Sequence, residues 1–552
     1  MARARKSGKK KIKPALALPT EAIVAEDAST SAPFDTTVAE PHWRHVVRQV
    51  DLSLLVRLLV LPCLILAIGL HVLHVFTGHP SFDEHFHLHF LWLTSQGILP
   101  RDQFLCPYPP TAYYLLAPLM RMLPESPVIF LALRWLTLLP AAAFVLALLV
   151  LARRCARPAA LTGAWLFVGL ASSQFPSFWE IRFDVLAWAL ALLALALLLR
   201  EDRPLEVVGA AALASLSVLI SPKHVLMLGG AAAAYGLYRL LAAPRQFPRT
   251  LGLAVVGALL PIALLTLLRP AFIDDAWDLT LLNIRMQADS TYPVELLEAL
   301  LNLLIAYPLL TAQIWAGPVL FLLQAHALPR KLRWLFIGLL AGNVATLLTL
   351  PCGYTQYVSL LWALFAPFVP WMMPAAAARW TGLAVACALL LHLGWFTARD
   401  LALLKEETLL DQQVQLQAEL ARICPPGETD SAAPFGHTWC RASPGYVFID
   451  NKPSYEKGVS PERRVLFSED YFYQQLVARP PAFDIPFTTT DSQPEAYQKA
   501  RTRFLTERSK DYVLGWIHYR GHSALRDRRL YIFIRRDRVP FAQFFNVVEQ
   551  QP

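Results

Sequence analysis

LLVRLLVLPCLILAIGLHVLHVF, residues 54–76, runs into HPSFDEHFHLHFLWLTSQGILPRDQFLCPYPPTAYYLLAPL, residues 79–119. Apart from Arg57 and two histidines the first stretch is apolar, and it exceeds the ~20 helical residues that cross a bilayer core. The second mixes acids, histidines, aromatics and prolines, which sets it apart from a plain connector. At its head stand Asp83 and Glu84. Two adjacent carboxylates beside a membrane are costly to hold there, and such pairs are a usual place for proton transfer. Phe86, Phe90 and Leu93 recur at helical spacing, which predicts a helix lying on the membrane surface.

The apolar pattern of the first stretch returns along the next three hundred residues. Further spans are expected near 127–151, 159–176, 184–200, 205–221, 224–241, 250–268, 297–323, 334–350, 355–373 and 378–397, about eleven in all. A chain that is 55% hydrophobic and 16% charged over 552 residues is too apolar for an ordinary soluble protein. The fold class is therefore mainly α: a polytopic membrane region, residues 51–397, with a soluble α/β domain over 398–552. Residues 1–50 read as a disordered basic tail. They carry Arg3, Arg5, Lys6 and Lys9–Lys11, and no cleavage pattern precedes the distant first span. The net charge of +9 lacks the interleaved aromatics of a nucleic-acid module, so it serves topology rather than nucleic acid.

Loop charges set the orientation. With the N-terminus in the cytoplasm, one set of connections holds Arg153, Arg154, Arg157, Arg200, Arg203, Arg239, Arg245, Arg249, Arg330, Lys331, Arg333 and Arg379. The other holds Arg101, Arg121, Arg182, Lys223, Arg269 and Arg285. The richer set belongs inside. The Asp83-Glu84 loop, the segment FWEIRFD at 178–184, the 269–296 loop and the C-terminal domain then face out. The Ala/Leu/Arg-rich composition points to a bacterial cytoplasmic (inner) membrane, with the endoplasmic reticulum as the alternative. On the oxidising side, Cys424 and Cys440 are a candidate disulfide. In the C-terminal domain an amphipathic run, ARDLALLKEETLLDQQVQLQAELARI, precedes four β-like stretches: GYVFID, RRVLFS, DYVLGWIHY and RLYIFIRR.

Four features of the outer face carry candidate chemistry. Asp83 and Glu84 suit acid–base work; their plainer role is to cap the helix that follows. In Glu180-Ile181-Arg182-Phe183-Asp184, Arg182 and Asp184 suit phosphate binding or a local ion pair. Ser221-Pro222-Lys223-His224 sets a lysine on the side where basic residues are scarce, which favours phosphate binding over snorkelling. Arg101-Asp102 is a further pair of the same kind. His85 and His89, four apart on a helix, are the alternative ligands for a divalent metal, with the neighbouring acids to complete the set. Arg134 and Arg57, inside apolar runs, are expected to pair internally or to snorkel. Asp274, Asp275 and Arg285 form a further outer group able to contact a substrate, with no motif to support it.

Taken in order, these pieces resemble the GT-C superfamily of polytopic glycosyltransferases. The likeness is to the branch of protein O-mannosyltransferases, lipid A aminoarabinose transferases and RgtA/B/C/D-like enzymes, and it covers residues of about 50–400. FDEHFHLHFLWLTSQGILPRDQFLCPYPP matches the first outer loop of that branch, EIRFD its Arg-x-Asp, and SPK its Ser/Thr-x-Lys turn. Pro100 stands where a tyrosine is usual before Arg101, and Phe183 where Arg-Pro-Asp is usual. The resemblance implies a polyprenyl-phosphate sugar as donor, a glycolipid, polysaccharide or protein acceptor of the cell envelope, and no metal cofactor. Asp83 is then the general base, Glu84 orients acceptor or donor sugar, and Arg182 and Lys223 hold the donor phosphate. Arg101, Asp102 and Asp184 are further substrate-binding candidates. A transporter or flippase of a lipid-linked or anionic substrate is the competing class. It requires ionisable groups deep within spans and broken mid-membrane helices, whereas here the charges crowd at the outer ends.

Overall fold

The structure is a computed structural model. It describes residues 52–77, 82–98, 109–126, 128–155, 180–200, 203–287, parts of 297–310, 311–349, 365, 367–373, 375–403, 409–425, 427–430, 441–442, 465, 468–485, 495–519 and 528–548. The N-terminal tail, Arg101, Asp102, Cys440 and the expected span at 159–176 lie outside the described residues, as does the Asp83 side chain.

Most of the described residues are helical. In order come α1 (Leu52–Thr77), α2 (Phe82–Ser95), α3 (Thr111–Met122), α4 (Val128–Leu136), α5 (Leu138–Arg154), α6 (Asp184–Leu198), α7 (Pro204–Ile220), α8 (His224–Ala242), α9 (Phe247–Leu268) and α10 (Phe272–Gln287). There follow α11 (Pro308–Gln324), α12 (Arg330–Thr349), the single turn α13 (Val369–Met372), α14 (Ala375–Leu403) and α15 (Leu409–Ile423). Among the described residues, five stretches are helical, long and apolar enough to cross a membrane: Leu58–Phe76, Ile129–Arg154, His224–Ala242, Phe247–Leu268 and Arg330–Thr349. Asp184–Leu198, Pro204–Ile220 and Ala386–Ala398 are apolar but shorter. The described residues thus give five such helices, against the eleven spans expected.

The surface of these helices is apolar outside as well as in. On α1, Leu58, Leu61, Ile65 and Ile68 are exposed along one face while Cys63, Ala67 and Leu70 are buried on the other. On α9, Leu251, Val255, Leu259 and Leu267 are likewise exposed. A water-facing helix would be polar there, so these faces suit lipid. The inner faces of α1, α5, α6, α8, α12 and α14 share one core, built on Phe144, Leu192, Met227, Phe336, Leu339 and Leu389 among others. Small residues bring two of these helices into backbone contact. A Cβ on Gly230 of α8 would lie 2.5 Å from the Gly338 oxygen, and one on Gly342 would lie 2.5 Å from the Leu226 oxygen. Gly338 and Gly342 of α12 form the small-xxx-small spacing that permits close helix approach.

Charged groups gather at both ends of α6. At its C-terminal end Arg154 donates to the Ala196 carbonyl, Lys331 donates to the Leu199 carbonyl at 2.8 Å, and Arg200 pairs with Glu206 at 3.8 Å. At the other end stand Asp184, Arg182 and Lys223. A helix of 15 residues, rising ~1.5 Å each, separates these ends by roughly 20 Å.

The C-terminal region closes around a small sheet. Strands β3 (Phe483–Asp484), β4 (Tyr512–Tyr519), β5 (Arg528–Arg535) and β6 (Asn546–Val548) pair antiparallel in the order β3-β5-β4-β6. Two residues each from β1 (Thr429–Asp430) and β2 (Arg441–Ala442) form a separate parallel pair. Period-two alternation divides the sheet's faces. Ile517, Ile532 and Ile534 pack on Leu416, Leu420 and Ile423 of α15. Tyr512 and Phe533 pack on α16 (Glu469–Ala478) and α17 (Glu495–Glu507). DYVLGWIHY and RLYIFIRR are strands as expected. Of RRVLFS, the described residues are in no strand: Val465 sits in a 3-10 turn, and Ser468 caps α16, its hydroxyl accepting from the Tyr471 N–H at 3.2 Å. GYVFID lies outside the described residues.

Candidate functional site

Helix α2 differs from the surface helix expected of it. From Glu84 to Ser95 every residue is buried. Phe86, Phe90 and Leu91 pack with Tyr113 of α3, Phe130 and Leu133 of α4, and Ile181. The apolar spacing predicts one face on a membrane, but Leu88, Trp92 and the histidines between are enclosed by protein as well. His85 lies against Phe130 with ring centroids 5.6 Å apart, and His89 against Trp92 at 5.8 Å. His87 Nδ1 lies 2.8 Å from the Tyr113 hydroxyl, and its ring meets Phe183 edge-on at 4.9 Å. Among the described residues, no three potential metal ligands gather at one point.

Glu84 is the tie that fixes this helix. Arg134 of α4 donates to it twice, Nε to Oε1 at 2.8 Å and Nη2 to Oε2 at 2.6 Å, and both side chains are fully buried. The Ile181 N–H donates to Oε1 at 3.0 Å, and Arg134 Nη1 donates to the Val75 carbonyl at 3.2 Å. One carboxylate thereby joins α2, α4, the end of α1 and the segment Glu180–Asp184. Arg134 pairs internally, as its place in an apolar run required.

The EIRFD and SPKH segments meet around Asp184, although some forty positions separate them in sequence. Arg182 Nε lies 3.7 Å from Asp184 Oδ2, and Lys223 Nζ lies 3.9 Å from Asp184 Oδ1. Arg182 also pairs with Glu180 at 3.3 Å, and the Ser221 hydroxyl donates to Asp184 at 3.4 Å. These are charge contacts longer than the 2.7–2.9 Å of a tight charge-assisted hydrogen bond. Two cations thus flank one carboxylate in a half-buried place, where attraction to an anion is stronger than in water.

Helix connections determine this geometry. Asp184 opens α6, Ser221 follows the last residue of α7, and Lys223 immediately precedes α8. Below them the Ser217 hydroxyl donates to the Ala187 carbonyl at 2.7 Å and sits 2.6 Å from His224 Nδ1, binding α6, α7 and α8 together. Thr111 at the start of α3 donates to the Leu219 carbonyl at 2.8 Å, which joins the first loop to the same corner.

A second polar group centres on Asp275, which no sequence motif supports. Asp275 of α10 accepts from the Tyr114 hydroxyl at 2.8 Å and from Arg269 at 2.9 and 3.0 Å, while the Arg269 guanidinium stacks 4.3 Å over the Tyr114 ring. The one available signal was an aspartate pair beside a lone outer arginine. The C-terminal domain docks at this end of the bundle. Leu279 of α10 inserts among Phe472, Phe504 and Tyr512, and Val414 of α15 packs onto the cluster around α2.

Of the sequence candidates, then, Glu84, Arg182, Asp184 and Lys223 are joined through the Glu180–Asp184 segment. Asp83 lies on the first turn of α2, next to Glu84. Arg101 and Asp102 have no described position. Cys424 is disulfide-bonded, and its expected partner, Cys440, is outside the described residues. Set beside known proteins, the chain matches no protein-family model and no curated sequence.

Proposed function

We propose that this chain is a membrane glycosyltransferase that moves a sugar from a polyprenyl-phosphate donor to an acceptor on the outer face of a bacterial cytoplasmic membrane. The observation that carries the reading is the meeting of Arg182 and Lys223 around Asp184, on the segment whose Ile181 N–H is held by Glu84. An Arg fork and a Lys point charge suit a lipid phosphate whose charge grows as the glycosidic bond breaks. Asp83 takes the proton of the acceptor hydroxyl. The acceptor oxygen bonds to the anomeric carbon, and the bond from that carbon to the phosphate oxygen breaks with its electron pair, which inverts the centre. Glu84 acts as a positioning residue that sets the turn bearing Asp83 against the Arg182 segment. Asp184 holds the two cations apart until the phosphate arrives, and Arg101 and Asp102 add substrate contacts from the first loop. The basic cluster at the far end of α6 supports a cytoplasmic location for that end, and hence an outer location for the site and the C-terminal domain.

The test is transfer of labelled sugar from a polyprenyl phosphate to membrane glycolipid, polysaccharide or protein acceptors by purified protein. Asp83→Asn is expected to lower the rate about 10²–10⁴-fold at equal expression, the usual contribution of a general base. Turnover by the variant at the native rate would remove Asp83 from that role.

A further inference from the structure

The C-terminal domain holds a cavity of about 330 Å³ that the transfer step does not use. It opens where α17 ends, beside the start of β4 and the turn that follows β5. Phe504, Tyr512 and Pro480 form apolar walls, and three arginines stand against two aspartates around them.

The arginines are not equivalent. Arg535 is a frame: it donates to Asp537 at 2.7 and 3.0 Å, to Glu428 at 3.1 Å and to the Pro480 carbonyl at 2.8 Å. Its hydrogen bonds hold the Asp537 carboxyl below the usual carboxylate range, so Asp537 is an anion at neutral pH. Arg508 and Arg536 are exposed. Among the described residues, Arg536 gives one bond, Nε to the Lys510 carbonyl at 2.6 Å, and Arg508 gives one side-chain bond, to Asp511 at 3.2 Å. A guanidinium has five N–H donors, so both keep donors for a ligand.

We propose that this cavity binds a saccharide bearing an oxyanion, either a phosphate or a carboxylate. Arg508 and Arg536 supply the planar forks that suit such an anion. Asp511 and Asp537 accept the sugar hydroxyls, and the ring's apolar face rests against Pro480, with the buried Phe504 and Tyr512 rings as the floor behind it. The volume stands at the low end of the ~300–1,000 Å³ of ligand pockets, which fits one or two sugar rings. The carboxyl end of α17 disfavours an anion through its dipole, and the surplus of arginines offsets this. Phe504 and Tyr512 belong to the same apolar cluster as Leu279 of α10, the helix whose Asp275 bonds Tyr114 of α3, and Thr111 at the start of α3 bonds the Leu219 carbonyl just before Ser221 and Lys223. The ligand is thereby held at the end of the bundle where transfer is proposed. Its identity as the acceptor rests on the transferase reading; its binding does not.

The experiment is calorimetric titration of the full-length protein in detergent with a hexose phosphate, glucuronic acid, glucose and inorganic phosphate. Saturable binding of the two charged sugars is expected, with glucose and inorganic phosphate each weaker by about tenfold or more. The double variant Arg508→Gln/Arg536→Gln should weaken the charged sugars about tenfold while the melting temperature stays unchanged. Lys499→Gln, the same loss of charge on another face of α17, should bind as the native protein does. The proposal is overturned by no binding of either charged sugar, by equal binding of glucose or of inorganic phosphate, or by binding that survives the double variant. None of these readings requires transfer activity.

Discussion

Replacing Glu84 by alanine strands a fully buried guanidinium and leaves the Ile181 N–H without its acceptor. The native carboxylate takes two bonds from Arg134, at 2.8 and 2.6 Å, and one from Ile181, at 3.0 Å, all out of solvent. Breaking a buried ion pair from one side costs about 3–5 kcal/mol, because the remaining charge has no compensation. The orphaned N–H costs a further ~1–3 kcal/mol. These terms overlap, so Glu84→Ala is expected to destabilise by about 4–6 kcal/mol. Glu84→Gln keeps the shape and an acceptor for Ile181, and loses about 3 kcal/mol. Arg134→Met alone leaves a buried carboxylate and belongs in the same range. The double variant Glu84→Gln/Arg134→Met removes both charges and should recover most of the loss, with a coupling of ~2–3 kcal/mol. Reversible unfolding in mixed micelles, followed by tryptophan fluorescence, measures all four corners of the cycle. Single variants that each cost less than ~1 kcal/mol, or losses that simply add, would refute the assignment of Glu84 as the tie between α2, α4 and the Arg182 segment. The same proteins separate structure from chemistry. A double variant that regains stability and sugar transfer together leaves Glu84 a positioning role, whereas regained stability without transfer gives it a direct one.

Lys223→Ala and Arg182→Ala should raise the apparent donor KM and lower kcat together; a defect confined to the acceptor KM would count against phosphate binding. Gly342→Val sets a side chain where a Cβ already lies 2.5 Å from the Leu226 oxygen and 2.7 Å from the Met227 Cα, so α8 and α12 must part, at a cost of ~1–3 kcal/mol or more. Gly229→Ala, with nothing within 4 Å of its Cβ, is the neutral control, and equal melting temperatures for the two variants would contradict the packing. Thiol mass-tagging of protein from native membranes should leave Cys424 and Cys440 unlabelled until reduction; labelling of both beforehand would refute their pairing.

Local sequence was enough for whatever depends on the near neighbours of a residue. Apolar length marked out helices such as Leu58–Phe76 and Phe247–Leu268 as suited to a bilayer, because the bilayer core sets a minimum span whatever the partners, although five of the described helices reach that length against eleven spans expected. Alternation in DYVLGWIHY and RLYIFIRR determined two strands, and the scarcity of basic residues on one set of loops drew attention to Arg182 and Lys223. Residues 86–93 misled because helical periodicity reports how many faces are apolar and not what covers them; protein encloses α2 where lipid was expected. Ser468, at the end of RRVLFS, misled because a serine before two acids is also a helix cap. Only the tertiary structure decided which charges meet. Glu84 and Arg134 are 50 positions apart in the chain, and Asp184 and Lys223 nearly as far. Their pairing follows from the packing of α2 on α4 and of α6, α7 and α8 on one another. No local pattern encodes such a contact, since a buried charge is tolerated only where the fold as a whole supplies its opposite.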